Sequence, residues 1–215
     1  MNPPQIVGRV FEEEAVPLDQ SAVERANRRM PAWMSSRRRH AWSVYENTPL
    51  PTTRSEEWRY TDLSRLIKLG ELRLATGESL PESRPRILDA TMAEDRAASG
   101  HIVLMDGGVV HVDLDRALAT SGVVLTSLWS AVDEHPDLLE ELLATKVLPA
   151  EQGKFEALNA ALWTDGVLLY VPENVEVKLP VRSTHWLSQP GSAVCTRTLI
   201  VAEAGSRVSY VDEFL

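Results

Sequence analysis

The stretch KFEALNAALWTDGVLLYVPENVEVKLPV, residues 154–181, decides the fold because one hydrophobic periodicity ends within it and another begins. Phe155, Leu158 and Leu162 recur at three- and four-residue spacing, which places them on one face of an α-helix. Trp163 extends that apolar face at its end. The first part of the stretch therefore predicts a helix whose apolar side packs against a core.

Gly166 marks the change of pattern. A glycine shortly after a helix is typical of the left-handed residue that ends it, so Gly166 is expected to adopt that conformation. Residues 167–171 are apolar without a break, which predicts a strand covered on both faces, and residues 175–179 alternate apolar with charged side chains. The chain is expected to be mixed helix and hairpin before this point and strand after it.

Composition limits the classes of function. With 44% hydrophobic residues among 215, the chain can bury a substantial core, and its formal charge of -9 argues against non-specific binding to nucleic acids or anionic membranes. No apolar run approaches the ~20 residues that cross a bilayer, and the first residues lack the order of a signal peptide. The only cysteine is Cys195, so no disulfide can form within the chain. The expected location is the cytoplasm.

Two helices are predicted near the N-terminus, over residues 21–30 and 32–45. Ser21 and Glu24 have the spacing of a capping box at the start of the first helix. The same region holds a basic cluster that could suggest nucleic-acid binding, with a strongly salt-dependent affinity. Because the whole chain is acidic, we favour solvated helices whose arginines pair with nearby glutamates; the cluster comprises Arg25, Arg28, Arg29, Arg37, Arg38, Arg39 and His40.

The most distinctive string is PTTRSEEWRYTDL, residues 51–63. Ser55 can cap a short helical turn, and Trp58 and Tyr60 are expected to anchor the segment to a core. Adjacent glutamates diverge on a helix, so a structural clamp is favoured over an acid–base site formed by Glu56 and Glu57.

A hairpin is predicted where two apolar runs, within residues 101–114, flank Asp106 and Gly107. His101 and His111 lie on either side of that turn, but no third ligand is in view, so ordinary strand histidines are favoured over a metal pair. A short strand at 123–125 and helices over 127–132 and 136–147 are expected to follow.

Three strands are predicted after residue 181, over 181–186, 193–202 and 207–214, with no helix between them. A weak repeat at an offset of 31, which is 199 minus 168, aligns two groups of residues: Leu168, Leu169, Asn174 and Val177 with Leu199, Ile200, Gly205 and Val208. Such strands suit a solenoid of β-rungs, and a β-sandwich fits almost as well. Because the sequence stops directly after a strand pattern, we expect either a longer protein or a partner that covers this end.

Four strings together resemble one known family. They are residues 31–63, which include EEWRYTDL, then KFEALNAALWTDG at 154–166, VPENVEVKLPV at 171–181 and AEAGSRVSYVDEF at 202–214. In this order they resemble the N-terminal portion of the SufB/SufD family of iron–sulfur cluster assembly scaffold proteins, and specifically its SufD branch.

The resemblance implies an α+β chain in which an N-terminal helical domain precedes the first rungs of a right-handed parallel β-helix. The implied divisions are a helical domain at 1–100, an α/β connecting region at 101–165 and the start of the β-helix at 166–215. It also implies a non-enzymatic scaffold subunit that pairs with a SufB-like paralogue and a SufC-type ABC ATPase. The family residues tied to cluster assembly and the helices that bind SufC lie mainly in later parts of the fold, so no catalytic or metal residue is assigned here.

The resemblance further implies that the iron–sulfur cluster is assembled transiently in the complex, and that this stretch alone binds no cofactor. Clusters are generally held by several thiolates, and Cys195 alone, in an apolar run, is expected to be a small buried hydrophobe rather than a ligand. The alternative function is a carbohydrate-active enzyme on a parallel β-helix. That enzyme would need carboxylates along one strand face, for which Asp212 and Glu213 are the near-adjacent candidates.

Overall fold

The computed structural model describes residues 16–77, 85–93 and 98–215, so parts of the predicted helical domain lie outside the described residues. Within those ranges the chain is α+β. The described helices are α1 Gln20–Asn27, α2 Ala32–Asn47, α3 Leu63–Leu66, α4 Arg86–Ala93, α5 Arg116–Thr120, α6 Leu128–Glu134, α7 Pro136–Leu142 and α8 Lys154–Leu162. Short 3-10 turns cover Glu56–Trp58, Leu69–Glu71 and Ala150–Gln152.

The described strands form three sheets. In chain order they are β1 Val16–Pro17, β2 Arg73–Leu74, β3 Gly100–Met105, β4 Gly108–Leu114, β5 Val124–Ser127, β6 Asp165–Val171, β7 Val181–Trp186, β8 Ser192–Ala193, β9 Thr196–Ala202 and β10 Tyr210–Phe214. The sheet orders are β1-β2-β8, β10-β7-β3-β4 and β5-β6-β9. Each sheet mixes parallel and antiparallel pairs.

The expected parallel β-helix is wrong. The described strands make three separate mixed sheets, and none of these sheets is closed or wound into a solenoid. Antiparallel strands explain the difference, because the β3–β4 hairpin occupies one side of the second sheet and β5 pairs antiparallel with β6 in the third. A repeat in the sequence predicts which strands pair, but it does not predict how the sheets are arranged.

The weak repeat itself is confirmed by the strand register. Leu168 pairs with Leu199 in the parallel β6–β9 ladder, at the expected offset of 31. Asn174 and Gly205 follow these strands, and both adopt positive φ angles, of 60° and 73°. The predicted strand at residues 175–179 is reduced to an isolated bridge between Glu176 and Arg207.

α8 and β6 meet as the deciding stretch predicts, with the side chain of Trp163 fully buried between helices and sheet. Gly166, however, does not end the helix in a left-handed conformation, since it lies inside β6. A Cβ atom at this position would lie 1.8 Å from the Arg197 carbonyl oxygen on β9. Glycine is needed here because two strands approach closely, and not because a helix has to turn.

β6 separates two hydrophobic cores, as expected of a strand covered on both faces. Leu168 faces the core formed mainly by α2, α6 and α8. Val167, Leu169 and Val171 face the core between the second and third sheets. Asp165, at the start of β6, accepts hydrogen bonds from the Ser127 hydroxyl at 2.7 Å and from backbone amides, so the strand is tied to the start of α6.

The N-terminal helices are present, but the first begins differently from the prediction. The N-cap of α1 is Asp19, whose carboxylate accepts a hydrogen bond from the Ser21 backbone amide at 2.8 Å. Ser21 is therefore already inside the helix, and the predicted Ser21–Glu24 capping box is wrong. An aspartate is as effective an N-cap as a serine, which explains the shift of two residues.

The distinctive string at residues 51–63 lies largely on the surface. Tyr60 is 87% exposed, and Trp58 is half-buried, with its ring centroid 5.5 Å from that of Phe155. Within the string, Arg59 Nη1 lies 2.8 Å from Glu56 Oε1. The string is a surface segment in which Trp58 contacts Phe155, and Tyr60 does not anchor it to a core.

The predicted hairpin is confirmed. β3 and β4 pair antiparallel around Asp106 and Gly107, whose φ angles of 49° and 84° are those of a tight type I′ turn. The Asp106 carboxylate also accepts hydrogen bonds of 2.7 Å from the backbone amide and the hydroxyl of Ser188. The turn is thereby attached to the loop that follows β7.

Candidate functional site

Polar side chains concentrate where β7 and β10 lie side by side. In this parallel ladder Asp212 is opposite Ser183, and Phe214 is opposite His185. Because side chains alternate along a strand, these four residues share one face of the sheet. This face looks toward the core between the second and third sheets, and we call the four residues the inner cluster.

His185 is the centre of the inner cluster. It is 5% exposed, and its Nε2 atom lies 2.9 Å from Asp212 Oδ1, although neither ring nitrogen makes a contact with hydrogen-bond geometry. The Ser183 hydroxyl donates a hydrogen bond to the same Asp212 oxygen. The imidazole stacks on the Phe214 ring, with centroids 4.5 Å apart and planes 14° from parallel. The stacking fixes the plane of the imidazole ring, and its Nε2 atom is directed toward Asp212.

Electrostatics keep this histidine in its neutral form. Burial lowers the pKa of His185, and the nearby Asp212 carboxylate opposes that change only in part. Burial also raises the pKa of the Tyr210 hydroxyl, which lies on the same face of β10. The inner cluster thus contains an uncharged imidazole beside a carboxylate.

A cleft of about 230 Å³ lies beside the inner cluster. Its walls are mostly apolar and come from the ends of β3, β7 and β10 and from the segment around β8 and β9; they include Leu104, His185, Trp186, Val194, Phe214 and Leu215. Apolar clefts with a few polar groups are the usual setting of small binding sites.

The opposite face of the same strands carries a second polar row. Arg182 Nη2 lies 2.6 Å from Glu213 Oε2, and the Thr184 hydroxyl donates to the same oxygen at 3.4 Å. Thr184 in turn hydrogen-bonds His101 Nε2 at 2.9 Å, which extends the row to β3. This row joins three strands, and each of its charged groups is paired.

The two carboxylates considered for acid–base catalysis are thereby separated. Asp212 belongs to the inner cluster, whereas Glu213 points to the other face and pairs with Arg182. Two carboxylates of a glycoside hydrolase must converge on one substrate bond. Asp212 and Glu213 do not meet that requirement.

His101 and His111 are strand histidines, as expected, on β3 and β4. They are diagonal neighbours, since His101 is opposite Asp113 and His111 is opposite Val103, and their ring centroids are 6.3 Å apart. Among residues 16–77, 85–93 and 98–215, no group of three or more histidine, cysteine or acidic side chains is placed to hold a metal ion.

Two arginines of the basic cluster bond backbone carbonyl groups, whereas His40 pairs with Glu151. Arg38 is fully buried and donates to the carbonyl oxygens of Ala161, at 3.1 Å, and Trp163, at 2.7 Å. Arg37 donates to the carbonyl oxygens of Glu140 and Leu143. These two arginines hold neighbouring segments in place, so they are not available to bind phosphate.

Arg38, Cys195 and Arg197 lie close enough to influence one another electrostatically in the main core. Burial lowers the pKa of Arg38 to about 9 and that of Arg197 to about 10, and it raises the pKa of Cys195 to about 12. At neutral pH both arginines are charged and the thiol keeps its proton. Cys195 is buried, as its apolar surroundings in the sequence predict.

The burial of Arg38 could have been predicted from the spacing of residues along α2, although charged residues are usually expected on the surface. Met34, Arg38, Ala41 and Trp42 follow helical spacing, so Arg38 lies on the buried face of α2. The inner cluster has no such signal, because Ser183, His185 and Asp212 come together only through the pairing of β7 with β10.

Comparisons with known proteins agree on one family. The family model described as the SufBD protein N-terminal region matches residues 12–182. The chain is similar to an iron–sulfur cluster assembly SufBD family protein of Staphylococcus haemolyticus, with 29% identity over 85% of this chain and 40% of the relative. It is also similar to the iron–sulfur cluster assembly protein SufD of Bacillus subtilis, with 31% identity over 86% of this chain and 42% of the relative.

A SufBD family protein of Mycobacterium bovis is 29% identical over 93% of this chain and 24% of its own length. The chain thus spans about 40% of the length of the first staphylococcal relatives that it matches, and less of the mycobacterial one. None of the helices in the described part of the chain has the length and apolar character needed to cross a membrane.

Proposed function

Because the chain belongs to the SufBD protein family, whose N-terminal region it matches over residues 12–182, we propose that it acts in iron–sulfur cluster assembly as a scaffold subunit and not as an enzyme. The family match carries this proposal. The names of the relatives from Bacillus subtilis and Staphylococcus haemolyticus support it, since both are described by that assembly process.

The proposed partners are a SufB-like paralogue and a SufC-type ABC ATPase, in the cytoplasm. The free strand edges of the sheets support a protein partner. Among the described strands, β10 is an edge of the second sheet and β9 an edge of the third. Phe214 is 67% exposed and Ile200 is 41% exposed on these two strands. Unpaired backbone beside exposed apolar side chains is a surface that pairs readily with another polypeptide.

The cluster itself is proposed to be a transient cargo of the complex. Cys195 is poorly suited to be a cluster ligand, because it is buried and burial raises its pKa to about 12. Ligation of iron requires the thiolate. Any cysteine that holds the cluster is therefore proposed to come from another part of the assembly.

The carbohydrate-active enzyme is not retained as an alternative. It required a parallel β-helix groove with carboxylates along one strand face, and the described strands form three mixed sheets instead. Asp212 and Glu213, its candidate residues, lie on opposite faces of the second sheet.

Affinity purification tests the proposal and the contribution of the β10 edge. A tagged chain, expressed with a SufB-like protein, is expected to retain that protein. Val211→Lys on β10 should weaken retention of the SufB-like protein at least about tenfold, because a lysine on an edge strand opposes strand pairing. Val112→Lys is the matched control, since both valines are 39% exposed and lie on the two edge strands of one sheet.

Failure to retain the SufB-like protein would contradict the proposed role. Equal weakening by Val211→Lys and Val112→Lys would leave the family role in place and exclude β10 as the contact surface. Turnover of a polysaccharide by the purified chain would contradict a non-enzymatic scaffold.

A further inference from the structure

Two metal-ligand atoms converge in the inner cluster. His185 Nε2 and Asp212 Oδ1 are 2.9 Å apart, on side chains from neighbouring parallel strands. We propose that His185 and Asp212 form a binding site for one divalent first-row transition-metal ion. This site is independent of the proposed role in cluster assembly and belongs to this chain alone.

The separation of the two atoms suits one shared ion. Imidazole nitrogen and carboxylate oxygen bind such ions at about 2.1 Å, so two ligands at right angles around an ion are about 3 Å apart. The distance of 2.9 Å between Nε2 and Oδ1 agrees with that value. An ion can therefore bind without a large movement of either strand.

The imidazole is available as a ligand. Neither Nδ1 nor Nε2 of His185 makes a contact with hydrogen-bond geometry, although Asp212 Oδ1 lies 2.9 Å from Nε2. A metal binds imidazole through the lone pair of a ring nitrogen. Stacking on Phe214 fixes the plane of the imidazole ring. Metal binding would therefore require little further loss of side-chain entropy from His185.

The carboxylate has the outer support found in metal sites. The Ser183 hydroxyl donates to Asp212 Oδ1, and such outer hydrogen bonds orient ligating carboxylates. The Asp212 side chain is 36% exposed, so an ion can reach it from solvent. Because the described residues offer no third histidine, cysteine or acidic ligand here, water must complete the coordination. The affinity is accordingly expected to be modest.

The ligand types identify the class of ion. One nitrogen and one carboxylate oxygen suit Fe²⁺, Co²⁺ or Zn²⁺, whereas Mg²⁺ and Ca²⁺ prefer oxygen ligands alone. Co²⁺ is a practical probe, because its visible absorption reports coordination by nitrogen and oxygen.

The chain contains a matched control for this pair. His40 Nε2 also approaches a carboxylate oxygen, at 2.5 Å from Glu151 Oε1, but both side chains are more than half exposed. That contact has hydrogen-bond geometry, unlike the contact between His185 and Asp212. His40→Gln therefore removes a histidine beside a carboxylate without touching the proposed site.

The test is a titration of the purified 215-residue chain with Co²⁺, followed by calorimetry and visible absorption. One Co²⁺ per chain is expected. His185→Gln and Asp212→Asn should each weaken binding by more than about 100-fold, and Ser183→Ala by about tenfold. His40→Gln should leave the affinity unchanged, and excess Mg²⁺ should not displace Co²⁺. Circular dichroism checks that each variant is folded.

If His185→Gln does not fold, Asp212→Asn decides the question, since Asp212 is partly exposed. The proposal is overturned if the unmodified chain binds no Co²⁺, or if a folded His185→Gln or Asp212→Asn variant binds it as tightly. It is equally overturned if His40→Gln abolishes binding. In each of these outcomes the 2.9 Å contact is only an interaction between an imidazole and a carboxylate.

Discussion

At the scale of single residues, Arg38 shows how a charged side chain can be a core residue. Its guanidinium lies 4.3 Å from the centroid of the Trp163 ring and bonds two carbonyl oxygens at the end of α8. The last carbonyl groups of a helix lack partners within the helix and carry its partial negative charge. Arg38 therefore completes the end of α8 from a different helix.

Replacing Arg38 by methionine should lower the free energy of unfolding by about 2–4 kcal/mol, because two buried carbonyl groups lose their donors. Urea denaturation measures the loss. Arg39→Met, at an exposed position one residue later, should change stability by no more than about 0.5 kcal/mol. Equal effects of the two substitutions would show that the Arg38 hydrogen bonds contribute little.

His185 makes stability depend on pH. Its pKa is lowered in the folded chain, so as pH falls below about 6.5 the unfolded chain binds the proton first and stability declines. Above that pH the contribution of His185 is complete. One proton gives a slope of at most about 1.4 kcal/mol per pH unit.

His185→Gln should therefore flatten the fall in unfolding free energy between pH 7.5 and pH 5.5, measured by urea denaturation at several pH values. His40→Gln is the comparison, because His40 is exposed. A slope that is unchanged by His185→Gln would assign the pH dependence to other groups.

At the scale of elements, β6 depends on a close approach that only glycine permits. Gly166 places its backbone against the carbonyl of Arg197 on β9, where a Cβ atom would lie 1.8 Å from the oxygen. Gly166→Ala should separate the two strands and cost about 3 kcal/mol or more. Thermal and urea unfolding measure the cost.

Gly70→Ala is the control for that substitution. No heavy atom lies within 4 Å of a Cβ added at Gly70, so stability should change by no more than about 0.5 kcal/mol. If Gly166→Ala were as mild as Gly70→Ala, the β6–β9 pair would have to be more adaptable than this structure indicates.

Elements with a clear period could be predicted from the sequence. Helical spacing located α2 and α8, an unbroken apolar run located β6, and Asp106 with Gly107 located the β3–β4 hairpin. The need for a glycine at position 166 could not be predicted, because it arises from Arg197 on β9, which is 31 residues further along the chain. Local patterns determine elements, whereas contacts between distant strands set the demands on single backbone positions.

At the scale of the whole molecule, the sequence predicted an α+β chain and the parallel alignment of Leu168 with Leu199, but not the arrangement of the sheets. Alternation of apolar residues shows which face of a strand is buried, but it does not show which other strand lies beside it in the sheet. The inner cluster depends wholly on that neighbour, since His185 and Asp212 meet only through β7 and β10. This is why the candidate site could not be derived from the sequence.

The isolated chain should associate with itself as its concentration rises, because exposed apolar residues accompany the free edges of β9 and β10. Ile200→Lys, on β9, should reduce light scattering at high concentration. Val147→Lys should have no such effect, since Val147 is similarly exposed but lies outside the three sheets, in an isolated bridge with Leu143. Equal scattering by the unmodified chain and Ile200→Lys would show that the β9 edge does not drive association.

The order β10-β7-β3-β4 also determines how this sheet can be assembled as the chain folds. Pairing β3 with β4 closes a loop of only two residues. Pairing β7 with β3 closes a loop of about 80 residues and therefore has a larger entropic cost. The hairpin is thus the template on which β7 docks, and β10 can dock only afterwards. A nascent chain would acquire its inner cluster only after β3, β4 and β7 have formed a rigid platform.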